Sequence, residues 1–437
     1  TENTAVGFNS LVQSTTGSSN TSIGKESLFS NTTADNNTAV GVEALKDNTT
    51  GTVNTAMGRQ ALQNNTTADG NTAYGHNSLN TVTTGGCNTA VGGSALFNNT
   101  GTGNVAVGHS TLQANTSAAD NVGIGRNALY TNTEGHSNVG IGRNALYDNT
   151  TGDKNIAIGC SALANNTTAD SNVAIGHTAL LCNVTGASNT ALGSLALCKN
   201  TGSNNTALGA FTMKNNTSGH SNVAIGESAL TDNTTGLQNV AIGKNAMVSN
   251  ISGCQSSVVG YLALDAQTTG QENTAMGNES LTVLTTGNQN SGFGWLSGVD
   301  VTTGSNNSFL GKDAGRTGSP GGSISTGSNN IVLGDENVQN LFCADTSISS
   351  SDQRDKTDIE DFTHGLDFVT KLKPKTYKWD KRAWYVKENK TKENLLNATP
   401  DGSRKKPKVH IGFMAQDVLA LEKEIGFSNN KDDMLVV

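Results

Sequence analysis

Along residues 1–340 the apolar positions fall in two short clusters that recur at a fixed interval, with polar residues between them. With small variations, the phrase Asn-x-Ala-Val-Gly-x-x-Ala-Leu runs from Asn3 to Leu11 and returns at Asn37 to Leu45, Asn155 to Leu163 and Asn222 to Leu230. Its glycine advances by 17 residues from Gly7 to Gly24 and Gly41, and by 16 at Gly92 to Gly108 and Gly193 to Gly209. It ends on a longer step from Gly311 to Gly334. No cluster is long enough to give a helix its own apolar face. The x-Ala-Val segment is β-prone, and the Gly after it permits a turn that a side chain would obstruct. The Ala-Leu pair makes a second short apolar segment before an Asn-Thr-Thr-Gly turn. Each unit reads as strand, turn, strand, turn.

A period this regular predicts rungs that stack, because an insertion would break the contact between neighbours. About twenty rungs at ~4.8 Å spacing make a rod of roughly 95 Å, with Val, Ile and Leu in ladders along it. The expected fold is mostly β: a parallel β-roll or solenoid of about twenty 17-residue repeats, followed by a small α+β domain. A lone rod with so few large apolar side chains per rung buries little surface. Three rods side by side bury more, and closed symmetry is the common way to arrange them.

Composition agrees with a repetitive structure. Of 437 residues 51 are Gly, only 5% are aromatic and 15% are charged, which suits neither a large aromatic core nor a charge-solvated disordered chain. The net charge of −8 is thinly spread, and residues 1–340 show no basic stripe in sequence, so no nucleic acid partner is expected. The one dense basic stretch, Lys371 to Lys408, reads as the solvated face of a small domain. Cys87, Cys160, Cys182, Cys198, Cys254 and Cys343 form no CxxC pair and read as tolerated small residues in a reducing compartment. No window suits a membrane span, and no cationic-then-apolar leader opens the chain. Thr1 falls in mid-repeat, so the expectation is a fragment without its N-terminal cap.

The Asn-Thr-Ala-Val-Gly and Asn-Val-Ala-Ile-Gly phrases resemble the repeats of the YadA-like head of trimeric autotransporter adhesins, over about residues 1–340. That resemblance implies a left-handed parallel β-roll assembled as a homotrimer. The period here is longer and the turns are richer in Asn and Thr than in that family.

Three kinds of candidate site lie in the repeats. Asn31, Asn48, Asn65 and Asn233 head Asn-x-Thr phrases that match the N-glycosylation pattern, though stacked Asn and Thr hydrogen bonding accounts for them equally well. His76, His109 and His177 each follow the repeat Gly, where threefold symmetry would gather imidazoles around a metal; the simpler reading is a variable rung position, and no metal or cofactor is expected. A depolymerase needs paired carboxylates. Asp35, Asp69, Asp120 and Asp170 are scattered singly at turns, three of them (Asp35, Asp69 and Asp170) at one turn position.

Composition changes near residue 341, which divides the chain into a shaft or head at 1–340, a linker at 341–350 and a C-terminal domain at 351–437. Ile359, Phe362, Leu366, Val369 and Leu372 are spaced as on a helix that Pro374 stops. Thr376 to Trp379 and His410 to Phe413 read as strands, Ala415 to Ile425 as a helix and 387–408 as a polar loop.

Ser351-Asp352-Gln353-Arg354-Asp355-Lys356-Thr357-Asp358-Ile359, the segment Leu372 to Trp379, and His410-Ile411-Gly412-Phe413-Met414-Ala415-Gln416-Asp417-Val418 resemble the C-terminal intramolecular chaperone domain of endosialidase-type phage tail spikes. The resemblance implies a domain that trimerises, assists folding of the β-structured fibre and then cleaves itself off. The usual helical end of that domain is expected beyond Val437. A Ser hydroxyl needs a base to take its proton, and a Lys of lowered pKa can serve. By resemblance Ser351 is the nucleophile, Lys356 the general base and Ser350–Ser351 the cleaved bond, with Asp352, Arg354, Asp358 and His410 as supporting groups. The only enzymatic activity expected is this single turnover in cis.

The leading expectation is a homotrimeric viral tail fibre in the virion. Its partners would be a host cell-surface glycan or protein receptor and other virion tail proteins. A polysaccharide-degrading tailspike and a bacterial trimeric surface adhesin at the cell surface are the alternatives.

Overall fold

Each rung contributes one three-residue strand, from Thr4–Val6 (β1) to Ile331–Leu333 (β20), and each strand pairs in parallel with the next. The computed structural model describes residues 2–338, 365–378, 399–403, 405, 407, 409–412 and 414–424. The chain divides into two compact units, Thr1–Leu341 and Phe342–Val437. Register follows the repeat: Ile156, Ala157 and Ile158 lie beside Val173, Ala174 and Ile175. The two 16-residue steps keep this alignment, as Thr89 beside Val105 and Thr190 beside Thr206 show. Strand alternation then sends the middle residue inward and its neighbours outward. Ala39, Ala56, Ala73 and Ala90 are accordingly fully buried, and the first unit is the parallel solenoid expected from the period.

Inside, the rungs stack like on like. A leucine column runs from Leu28 through Leu45, Leu62 and Leu79 to Leu281, with Met213 and Met247 taking the same place in two rungs. Beside it lie two asparagine columns with no solvent exposure. In one, backbone N–H groups donate to the amide oxygen of the preceding rung, as from Asn37 to Asn20 Oδ1 and from Asn54 to Asn37 Oδ1, both at 2.9 Å, with Ser256 Oγ taking that place for Asn273. The same amides donate onward, Asn37 Nδ2 to Gly51 O at 2.9 Å. In the other column the side chains bond to one another, Asn149 Nδ2 to Asn132 Oδ1 at 2.7 Å and Asn166 Nδ2 to Asn149 Oδ1 at 2.8 Å. Burying so many amides is tolerable only because they satisfy one another.

The second strand expected in each rung is not formed. The Ala-Leu pair lies in a turn, and its leucine is left-handed, with φ 49° at Leu45 and 52° at Leu146. Its N–H still reaches the next rung, from Leu45 to Ala61 O at 3.0 Å, so the inter-rung bond survives without strand dihedrals. A left-handed non-Gly residue costs roughly 1–2 kcal/mol, and burial of the leucine offsets it. At the repeat glycine the requirement is steric. Gly41 has φ +137°, and a Cβ there would stand 2.6 Å from Gly58 O in the next rung.

Near its C-terminal end the core changes hands. Gly298 and Gly315 take the places of the leucines, and the Phe309 ring, fully buried, enters from the strand position in their stead. A Cβ on Gly298 would come within 2.7 Å of that ring and one on Gly315 within 2.4 Å, so the small residues make its room.

In the second unit, a short helix α1 (Gly365–Lys371) precedes Pro374, and strand β21 (Lys375–Tyr377) pairs antiparallel with β22 (His410–Gly412). Helix α2 (Ala415–Glu424) follows. The expected elements are present within the described residues; Ile359, Phe362, Trp379, Phe413 and Ile425 lie outside them.

Candidate functional site

Stacking turns single residues into columns, and the outward columns are the solenoid's candidate surface. The third residue of every strand faces out and is apolar or aromatic in all twenty, from Val6 and Ile23 through Ile124, Ile141 and Ile158 to Leu310 and Leu333. Among them Val6, Tyr74, Leu192, Met276 and Leu310 are at least 40% exposed, which makes an uninterrupted apolar stripe rather than scattered surface residues.

Two positions further along, just past the repeat glycine, stands a column of different character. Arg59, His76, His109, Arg126, Arg143 and His177 are all exposed there. Arg126 and Arg143 are a rung apart in space but 17 apart in the chain, where a local charge count cannot join them, while Gly93 and Cys160 interrupt the column to either side. Arg143 Nη2 donates to Cys160 Sγ in the next rung at 3.4 Å, and this guanidinium holds the thiol below its ordinary value.

The other shaft candidates resolve into parts of the stack. Asn31, Asn48, Asn65 and Asn233 have no solvent exposure, and Asn48 Nδ2 donates to Asn31 Oδ1 at 3.0 Å, so these amides are interior rungs of a ladder and not accessible to a glycosyl donor in the folded shaft. His76 and His109 are separated by the Gly93 rung, and among the described residues no group of three His, Cys, Asp or Glu side chains gathers to hold a metal. Three of the carboxylates serve the turns: Asp35 Oδ1 accepts the Ser18 N–H at 2.6 Å, Asp69 Oδ1 that of Thr52 at 2.5 Å and Asp170 Oδ1 that of Asp153 at 2.7 Å.

In the C-terminal unit a cleft of about 500 Å³ is lined by Lys371, Leu372, Lys373 and Lys375 on one side and by Asp417, Val418, Leu421 and Glu424 of α2 on the other. Lys371 Nζ meets Glu424 Oε1 across it at 2.6 Å, which raises the lysine above its usual value. Val418 and Leu421 are buried and join the helix to the rest of the unit. His410 opens β22 opposite Tyr377. Ser350, Ser351, Asp352, Arg354, Lys356 and Asp358 lie outside the described residues.

Residues 351–427 match the family model of the chaperone of endosialidase. This chaperone match begins at Ser351 and takes in the whole helix–strand–strand–helix order just described, leaving the solenoid outside it. A chaperone domain therefore follows the shaft, of a peptidase family that implies autoproteolysis. No curated protein and no solved structure matches the chain. Of the features above, the motif signalled the chaperone domain in advance, whereas the basic column needed the residues after each repeat Gly to be aligned with one another.

Proposed function

We propose that the chain is the distal part of a homotrimeric viral tail fibre that attaches to a host surface, and that its C-terminal domain drives trimer folding and then releases itself. The chaperone match carries this reading, since the repeats that precede the matched residues form a parallel β-solenoid of the β-structured kind such a domain would assist. The apolar stripe supports the trimer: each rod has an outward sheet face that water disfavours, and threefold packing of three such faces covers all of them. Left-handed coiling, as in the adhesin heads that the repeats resemble, belongs to the same reading.

In the proposed cleavage Lys356 takes the Ser351 hydroxyl proton as Oγ attacks the Ser350 carbonyl carbon. The Ser350–Ser351 C–N bond breaks as the Ser351 nitrogen accepts a proton, leaving an ester on Oγ. Water hydrolyses the ester to a shaft ending in the Ser350 carboxylate and a free chaperone. Asp352, Arg354, Asp358 and His410 support this geometry. Intact mass of the expressed full-length gene product tests the proposal. Two species that meet at Ser350–Ser351 are expected, and a single uncleaved mass from an assembled trimer would refute the self-release.

A further inference from the structure

Two neighbouring rungs carry the same ten residues, Asn-Val-Gly-Ile-Gly-Arg-Asn-Ala-Leu-Tyr, at 121–130 and 138–147. The register lays Val122 on Val139 and Ile124 on Ile141, so each side chain of one copy stands beside its counterpart. Outside, this produces three doubled columns. Arg126 and Arg143 are exposed, Asn127 Nδ2 reaches Asn144 Oδ1 at 3.5 Å, and the Tyr130 and Tyr147 rings stack with centroids 5.2 Å apart and 4° between their planes. Equivalent positions elsewhere show that these columns share a face. Glu26, in the asparagine column, meets Lys46, in the tyrosine column, at 2.9 Å and Lys25, in the arginine column, at 3.5 Å.

We propose that this doubled patch binds a linear anionic polysaccharide lying along the rod. The proposal rests on the attachment reading above and names the class of receptor. Neither arginine forms an ion pair with a carboxylate among the described residues. Arg126 and Arg143 stand in successive rungs, and a polyanion lying along the rod can pair with both. In the same column His109 directly precedes the patch and Cys160 follows it, with Arg59 and His76 beyond the Gly93 rung and His177 beyond Cys160. The neutral columns select the kind of polyanion. The hydroxyls of the stacked tyrosine rings and the paired amides suit sugar hydroxyls. A pyranose unit is about as long as a rung is deep, so successive sugars meet the same groups again.

The test uses the full chain as assembled, with polygalacturonate and chondroitin sulfate as probes and neutral dextran and oligodeoxythymidylate as comparators. Wild type should bind at least one acidic polysaccharide, release it as salt rises, and ignore dextran. Arg126→Ala with Arg143→Ala should lower the affinity tenfold or more. Tyr130→Ala with Tyr147→Ala should lower it severalfold, with assembly unchanged in both variants. No binding to either polysaccharide, or binding unchanged in the arginine variant, overturns the proposal, and equal or tighter binding of the oligonucleotide reassigns the face to nucleic acid. Should labelled fibres adsorb to cells while ignoring both polysaccharides, the attachment reading stands and this inference falls.

Discussion

Asn65 Oδ1 is buried and accepts no hydrogen bond from the described residues, because Val82 stands one rung on, where Asn48 and Asn65 themselves supply the donor to the rung before. Asn65 donates normally backward, to Asn48 Oδ1 at 2.7 Å, so only the forward link is missing. Val82→Asn should complete it. Satisfying a stranded acceptor and adding a bond to it recover roughly 2–4 kcal/mol, against about 2 kcal/mol for the lost valine burial. The expected outcome is a net gain of about 1 kcal/mol, seen as slower amide exchange in the rungs from 65 to 99. Faster exchange there would show that the column does not need continuity.

Replacing the interior repeat glycine Gly142 by Val should damage the rod locally. Its φ is +129°, and a Cβ would stand 2.6 Å from Gly159 O, a backbone atom that cannot rotate away. A β-branched residue adds strain, for a cost of about 3 kcal/mol or more. Because rungs couple to nearest neighbours, protection should be lost around residues 125–176 and kept near both ends. Uniform loss along the shaft in hydrogen exchange would contradict this.

The period was readable from the chain because an inter-rung ladder tolerates no phase error: Ile156 can lie beside Val173 only if the turn between them has a fixed length. Where the length does change, in the 16-residue rungs, the deletion falls in the Thr-rich turn. There Asn99 Nδ2 bonds to Gly101 O two residues on, instead of three on as at Asn65 and Ala68. The left-handed leucines were not readable, since Leu45 looks apolar and β-compatible and its φ is imposed by the N–H bond to Ala61. Charge columns were hidden for another reason, that Arg126 and Arg143 become neighbours only after stacking. Ser351 and Lys356 are legible through their motif alone.

Cys160 should report on the arginine column. The Arg143 guanidinium lowers its thiol pKa, with the Ser161 hydroxyl at 3.8 Å adding in the same direction, so more thiolate is present near neutral pH. Arg143→Ala removes the larger of these two causes. The rate of iodoacetamide alkylation at Cys160, followed by peptide mass mapping against pH, should then shift to higher pH and fall severalfold at neutrality. An unchanged profile would mean that Arg143 does not act on the thiol in solution.

Self-cleavage separates into chemistry, assembly and locking. If Ser351 is the nucleophile and Lys356 the base, Ser351→Ala and Lys356→Ala in the complete gene should each leave full-length chains where wild type yields a shaft ending at Ser350. Cleavage should require assembly, because an unfolded monomer has no means of holding hydroxyl, amine and carbonyl within the ~3 Å needed for attack. Uncleaved variants should still trimerise, since folding assistance precedes bond breakage. They should nevertheless unfold faster, because a chaperone that remains attached catalyses the transition in both directions, whereas its removal leaves the shaft behind a barrier it cannot recross. Denaturing electrophoresis with and without boiling distinguishes the parts. Efficient cleavage in Ser351→Ala would end the mechanism, monomeric uncleaved chains would end the order of events, and detergent resistance equal to that of the cleaved trimer would end the kinetic lock alone.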